Sequence, residues 1–215
     1  IRWGSDERNR LFRNTKTTIL PSYLRDECGY PLLGDRRMKK AFSHALSTKR
    51  SLSEILSDSG KMPLFVPKAI RYFATASRID LEREQEVLNF VDRKNRDLAQ
   101  VMINSSFFYW HWRIIGNGFQ ISSRDLSSLP LPPMEVAEMM VPEIRKMAER
   151  LHRSRDRLAV IKSNRGEIRN IKYDLDQGIM QQLDDLVHRM FRFPEHYPFQ
   201  ASKSNNLADY ETLWR

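Results

Sequence analysis

Apolar positions recur at helical spacing in several stretches of the chain. Met38, Phe42 and Leu46 are four apart and predict a helix over 35–47 with one apolar stripe. Leu52, Ile55 and Leu56, with Ser51 ahead and Gly60 behind, predict a short capped helix. Leu98, Val101, Met102, Ser105, Tyr109 and Trp112, widened by Phe108 and Ile115, predict one continuous helix. It ends at Gly116-Asn117-Gly118, residues that tolerate positive φ. Met140, Ile144, Met147, Leu151, Leu158 and Ile161 alternate steps of three and four, with Ser154 in the missing slot. They predict a long helix with a narrow coiled-coil-like seam and Pro142 in its first turn. Leu175, Ile179, Leu183, Leu186, Val187 and Met190 predict a second amphipathic helix, joined to the first by a turn at Asn164-Arg165-Gly166. The aromatics and prolines from Phe191 to Phe199 close that pair.

Between the helices lie strand candidates. Thr17 to Leu20 is β-branched and stops at Pro21. Leu64-Phe65-Val66 runs on through Lys68 to Thr75, Val87 to Val91 is a compact β-type run, and Phe119-Gln120-Ile121 alternates. Asp80 to Glu86 is charged and predicts a surface connection, and Ser122 to Leu126 predicts a turn into one helical turn. The run Leu129-Pro130-Leu131-Pro132-Pro133 interrupts all periodicity and marks a domain boundary. The expected architecture is α+β: a mixed small-sheet domain over 1–130, then a helical hairpin or spacer with an aromatic-rich tail over 131–215.

Charge changes the picture most. The 215 residues hold 36 Lys+Arg against 27 Asp+Glu, a formal +9, with a pI near 9.8. Residues 36–50 carry Arg36, Arg37, Lys39, Lys40, Lys49 and Arg50 with no acid. Residues 145–172 carry ten bases against Glu149, Asp156 and Glu167, whereas residues 174–211 carry seven acids against three bases. A basic front and middle with an acidic tail points to a polyanionic partner, nucleic acid first. No apolar run reaches the roughly 18 residues that cross a bilayer. A lone cysteine, Cys28, excludes an internal disulfide framework and a multi-cysteine zinc site, so a reducing cytoplasm is expected. The sequence opens on Ile1 without a leader-like run and reads as a piece of something longer.

Catalytic constellations are sparse. The five histidines are scattered, no glycine-rich phosphate loop or Gly-x-Ser-x-Gly elbow occurs, and Cys28 has no His partner at a telling spacing. Asn104-Ser105-Ser106 matches a glycosylation acceptor but falls inside a predicted helix. Asp80 with Asp92-Arg93-Lys94 could hold a metal for phosphodiester cleavage. A chain with 29% charged residues makes such a triplet readily by chance, and helix capping by Asp92 is the simpler reading.

The block Met102-Ile103-Asn104-Ser105-Ser106-Phe107-Phe108-Tyr109-Trp110-His111-Trp112 is more specific. With Gly116-Asn117-Gly118-Phe119, Ser123-Arg124-Asp125-Leu126 and Leu129-Pro130, it resembles target-recognition regions of N6-adenine DNA methyltransferases. The nearest resemblance is to Type IIG-like restriction–modification polypeptides, which join methylase and nuclease in one chain. Trp3 to Arg8, Leu64 to Phe73 and Ile171 to Phe193 agree with that region in order, while the 76–95 stretch is short and the 165–178 link atypical. The methylase Asn/Asp-Pro-Pro-aromatic run and the glycine-rich loop for S-adenosylmethionine do not occur. The resemblance places both in a catalytic domain in cis, outside this sequence, with Mg needed only if a nuclease is fused. It therefore implies double-stranded DNA as partner, no cofactor in this segment, and a recognition rather than a catalytic role.

Such a region needs cations for phosphates and a few side chains for base edges. Arg36, Arg37, Lys39 and Lys40 suit the first task, and Arg71, Arg78, Asn117, Gln120 and Arg124, near predicted strand ends or turns, suit the second. Arg124 beside Asp125 could instead form a structural ion pair. The aromatics 107–112 read as core packing, and the 140–161 seam could pack on the 175–190 helix or mediate self-association. Two other classes stay open: a basic module binding RNA or protein with no restriction–modification link, and a small metal-dependent nuclease.

Overall fold

The computed structural model describes residues 31, 33, 36–70, 73–116, 119–163, 167–194 and 199. The chain enters them through α1 (Arg36–Leu46), whose buried residues Met38, Ala41, Phe42 and Ala45 form the predicted stripe. A 3-10 turn (Leu52–Ile55) follows, held by the Ser51 N–H donating to Glu54 Oε1 at 3.0 Å. The strands β1 (Met62–Pro67) and β2 (Gln85–Phe90) pair antiparallel, with Met62 opposite Phe90 and Pro67 opposite Gln85. Leu64, Val66, Leu88 and Phe90 point into the core and Val87 outward, the alternation a one-sided sheet requires. The extension of β1 through Lys68 to Thr75 does not form: the described part of that stretch is irregular, and the sheet gains only a bridge between Phe65 and Ser77. Phe119 to Ile121 is likewise no strand; the Ile121 N–H donates to Lys68 O at 2.8 Å.

The single helix expected over 98–115 is two. The first, α2 (Arg93–Asn104), is capped by Asp92, whose carboxylate accepts from Asn95 N–H at 2.8 Å. It stops at Ser105, where ψ is 160° and both the N–H and Oγ turn back on Met102 O. α3 (Ser106–Ile115) then starts afresh. Two side chains explain the break. Asn104 bonds the Ala76 backbone at both N–H and C=O and also reaches Gln100 O. Asp184 accepts the Ser106 N–H at 2.9 Å, taking the place of the carbonyl a continuous helix would supply. Asn104 is fully buried, so its match to a glycosylation motif is accidental. At Gly116 the backbone is extended rather than left-handed, and the requirement there is space: a Cβ would stand 2.6 Å from Trp112 O.

The short α4 (Ser123–Ser127) is closed by a capping box in which Ser122 and Asp125 bond each other's backbone N–H. The proline-rich run after it, where a domain boundary is expected, lies buried in the core. Leu52 N–H donates to Leu129 O, Leu131 N–H to Arg50 O, and Arg50 Nη1 to Pro132 O at 2.7 Å. One hydrophobic cluster runs from Met38 to Phe199, through both predicted domains.

Beyond the prolines come α5 (Met134–Met139) and α6 (Val141–Ser154), with Pro142 in the first turn of α6 as expected. The long seam is shorter than predicted. After Ser154 the chain turns, Leu158 is buried in that turn, and the β-branched run continues as β3 (Ala159–Ser163), paired antiparallel with β4 (Glu167–Ile171). Ile161 therefore faces solvent, 63% exposed. The turn expected at 164–166 lies outside the described residues, as does the strand expected at 17–20.

A 3-10 turn (Tyr173–Leu175) leads into α7 (Gln177–Phe191), capped by Asp176. Helices α6 and α7 run antiparallel in a steady register marked by Glu143–Arg189, Arg150–Gln182 and Arg157–Asp176. The helical pair is thus present, with a β-hairpin for its connection, while the most extensive packing of α6 is on α2. The molecule is mixed α+β with a helical C-terminal part. No helix among the described residues is long and apolar enough to cross a membrane.

Candidate nucleic-acid interface

Helix α1 presents two unlike faces. Phe42 meets Trp110 edge-on at 6.0 Å and stacks on His111 at 5.8 Å. Complete burial of a side chain of that size contributes about 2–3 kcal/mol. At the far end His44 Nε2 donates to Phe191 O at 2.8 Å, and its ring lies 5.1 Å from Phe193. Apolar docking and this one bond fix the rotation of the helix, leaving Arg36, Arg37 and Lys40 exposed and Lys39 half-buried. The first turn contains no acid and four of its first five residues are cations. A helix N-terminus itself carries about half a positive charge, so it and these cations together make this end of α1 electropositive. Asp35, next in sequence, lies outside the described residues.

A second candidate group sits on the segment entering α4. Phe119, Gln120, Ser122, Ser123 and Arg124 are all exposed, Phe119 to 82%. Arg124 forms no ion pair among the described residues, because Asp125 is engaged by Ser122 instead. The far end of α4 abuts α3: the Ser128 backbone lies against His111, which stacks on Phe42 of α1. Burial pushes the His111 imidazole down to about 3, with the Ser128 backbone pulling weakly the other way. His111 is thus a neutral structural wedge between α1 and α4 rather than a titrating group of a site. Phe119 was not legible as a surface residue, since its alternation with Ile121 reads as a strand; the Gly-Asn-Gly ahead of it was the available signal.

The remaining candidates go elsewhere. Arg78 is taken up inside the protein, its side chain only 10% exposed. It donates to Asp97 at 3.0 Å, to Glu149 at 2.7 Å and to Gln100 at 2.8 Å. It ties the segment after β1 to α2 and α6 and is not presented to a ligand. Arg71 and Asn117 lie outside the described residues.

The residues of the nuclease reading are occupied separately. Asp92 caps α2 through Oδ1 and accepts the Asn95 side-chain amide at Oδ2, and Lys94 pairs with Glu138. Asp80 accepts from Glu82 N–H and Gln85, which hold its carboxyl below the usual range. No group of three or more metal-ligating side chains occurs among the described residues.

Two of the described glycines are used in packing: a Cβ at Gly60 would strike the Phe90 backbone at 2.6 Å, and Gly116 is crowded by Trp112. A cleft of about 320 Å³ opens between the first 3-10 turn, α2 and α5. It has an apolar floor of Leu98, Ala137 and Ile144, and a rim of two ion pairs, Arg50–Glu54 and Lys94–Glu138. No catalytic grouping faces it. No family model, curated protein or solved structure matches this chain.

Proposed function

We propose that the chain is the DNA-recognition part of a restriction–modification N6-adenine methyltransferase of the Type IIG-like class. It positions duplex DNA for a catalytic domain outside this sequence, and S-adenosylmethionine belongs to that domain. The carrying observation is α1: a helix fixed by its apolar face that presents Arg36, Arg37 and Lys40 to solvent, with Lys39 half-buried beside them. A row of cations of this kind suits a phosphodiester backbone, which supplies an anion every few ångströms. In this reading Arg36, Arg37, Lys39 and Lys40 set register on phosphates. Gln120 and Arg124 read bases, Gln suiting adenine and Arg guanine, and Phe119 adds an apolar contact beside them. The family reading rests on the likeness of the 102–130 block, in which Asn104, Ser105 and the Ser122–Asp125 pair hold backbone geometry.

The test is fluorescence anisotropy of the full chain with random short duplexes across a salt series, with duplex RNA and heparin as controls. Binding is expected to weaken roughly 10³-fold or more between 50 and 200 mM salt. Reselection is expected to enrich a sequence whose preference relaxes in Arg124→Gln. Equal affinity for RNA and heparin, with no enriched sequence, would overturn the proposal in favour of an unspecific interaction module.

A further inference from the structure

The antiparallel register of α6 and α7 creates a second basic strip that adjoins α1. Glu143 faces Arg189 at 2.7 Å and Arg150 faces Gln182, so Lys146, one turn from each of Glu143 and Arg150, lies on the same flank. That flank ends where α7 ends, at Arg189 and Arg192, and the same end of α7 holds α1 through His44 and Phe191 O. On α1, Arg37, Lys40 and His44 fall at steps of three and four and line one face leading to this junction.

Lys146, Arg189 and Arg192 are exposed, and among the described residues neither Lys146 nor Arg192 has a carboxylate within ion-pair distance. The Arg189–Glu143 pair is more than half exposed on both sides, so it is weak and exchanges readily for a phosphate. Two acids, Glu143 and Asp185, border the strip. Arg192 holds a left-handed backbone, φ 52°, which turns the chain out of the helix.

We infer that Lys146, Arg150, Arg189 and Arg192 form a second phosphate-binding strip, continuous with α1, that follows the duplex backbone beyond the segment read by the α4 entry. This rests on the DNA-recognition reading and extends it to α6 and α7. The contacts carry no base information, so they lengthen the footprint without changing the preferred sequence.

The experiment measures the salt dependence of duplex binding by the full chain and two double variants. Lys146→Gln with Arg192→Asn removes two charges, Asn being well suited to a left-handed position. Arg37→Gln with Lys40→Gln is the α1 counterpart. Each cation lost from a phosphate lowers the log–log salt slope by about 0.9, so each pair is expected to lower it by about 1.8. Affinity is expected to fall equally for preferred and random duplexes, and both variants are expected to keep a cooperative melt. If the α1 pair lowers the slope and the Lys146/Arg192 pair does not, the strip is overturned and the DNA reading stands. If the unaltered chain shows no salt-steep duplex binding, both are overturned.

Discussion

Arg78 and Arg124 are the same side chain in opposite situations. Arg78 is surrounded by Asp97, Glu149 and Gln100, and Asp97 is itself only 2% exposed. The Arg78 guanidinium, with Arg93 behind it, holds the Glu149 carboxyl below the usual range. Arg78→Ala would strand a buried carboxylate. The cost is expected at about 3 kcal/mol, the lower end for a broken buried pair, because Arg93 and Arg96 remain beside Asp97. Arg124→Gln, on an exposed position, should stay within about 0.5 kcal/mol of the unaltered chain in the same urea titration while altering DNA selectivity. Equal stability of the two variants would contradict the ion-pair network.

His111 gives a second residue-scale expectation. An unfolded histidine titrates near 6.5 and this one near 3, so between those pH values the unfolded chain holds the extra proton. The stabilising contribution is complete above about pH 6.5 and is lost as pH falls, at up to about 1.4 kcal/mol per unit. Urea unfolding at pH 7, 6 and 5 should show the unaltered chain losing more stability than His111→Leu. Parallel losses would mean that the ring is protonated without unfolding.

At the scale of elements, what could be read from the sequence was whatever depends on local periodicity. Met38–Phe42, Ile179–Leu183 and Ile144–Met147 each repeat at a helical step and each became a buried stripe. Asp92 and Ser122 are caps whose partners lie three residues on, and both cap as their types dictate. The break at Ser105 was not legible. The apolar pattern crosses it without interruption, and its causes are Ala76 and Asp184, 28 and 78 residues from the atoms they bond. The end of α6 failed for a related reason. Leu158 and Ile161 continue the three–four pattern, but Val160 and Ile161 also suit a strand, and pairing with Glu167–Ile171 decided the matter. That the cations of α1 share an exposed face was legible because charge and amphipathicity share one helix. The ion pairs of Arg78 were not legible because its partners Asp97 and Glu149 come from two other elements. The α6–α7 strip needed the antiparallel register, which no single segment encodes.

At the scale of the whole molecule, the proline run bears on how many units fold. Prolines between two periodic regions usually mark a linker, since they break both helix and sheet ladders. Here Leu129, Pro130, Leu131 and Pro132 are buried, and three hydrogen bonds tie them to Arg50 and Leu52, some 80 residues earlier. α6 packs on α2, Asp184 of α7 caps α3, and Phe191 and Phe199 meet Phe107 at 5.0 and 5.2 Å. Every one of these contacts joins residues before the prolines to residues after them, and the hydrophobic cluster is continuous across both. The chain is therefore expected to unfold in one transition, with circular dichroism and tryptophan fluorescence giving the same midpoint. Fragments cut between Pro130 and Leu131 should each lack a cooperative melt, and mixing them should restore one. Two separate transitions, or an independently folded 1–130 fragment, would instead support the boundary that the prolines suggest.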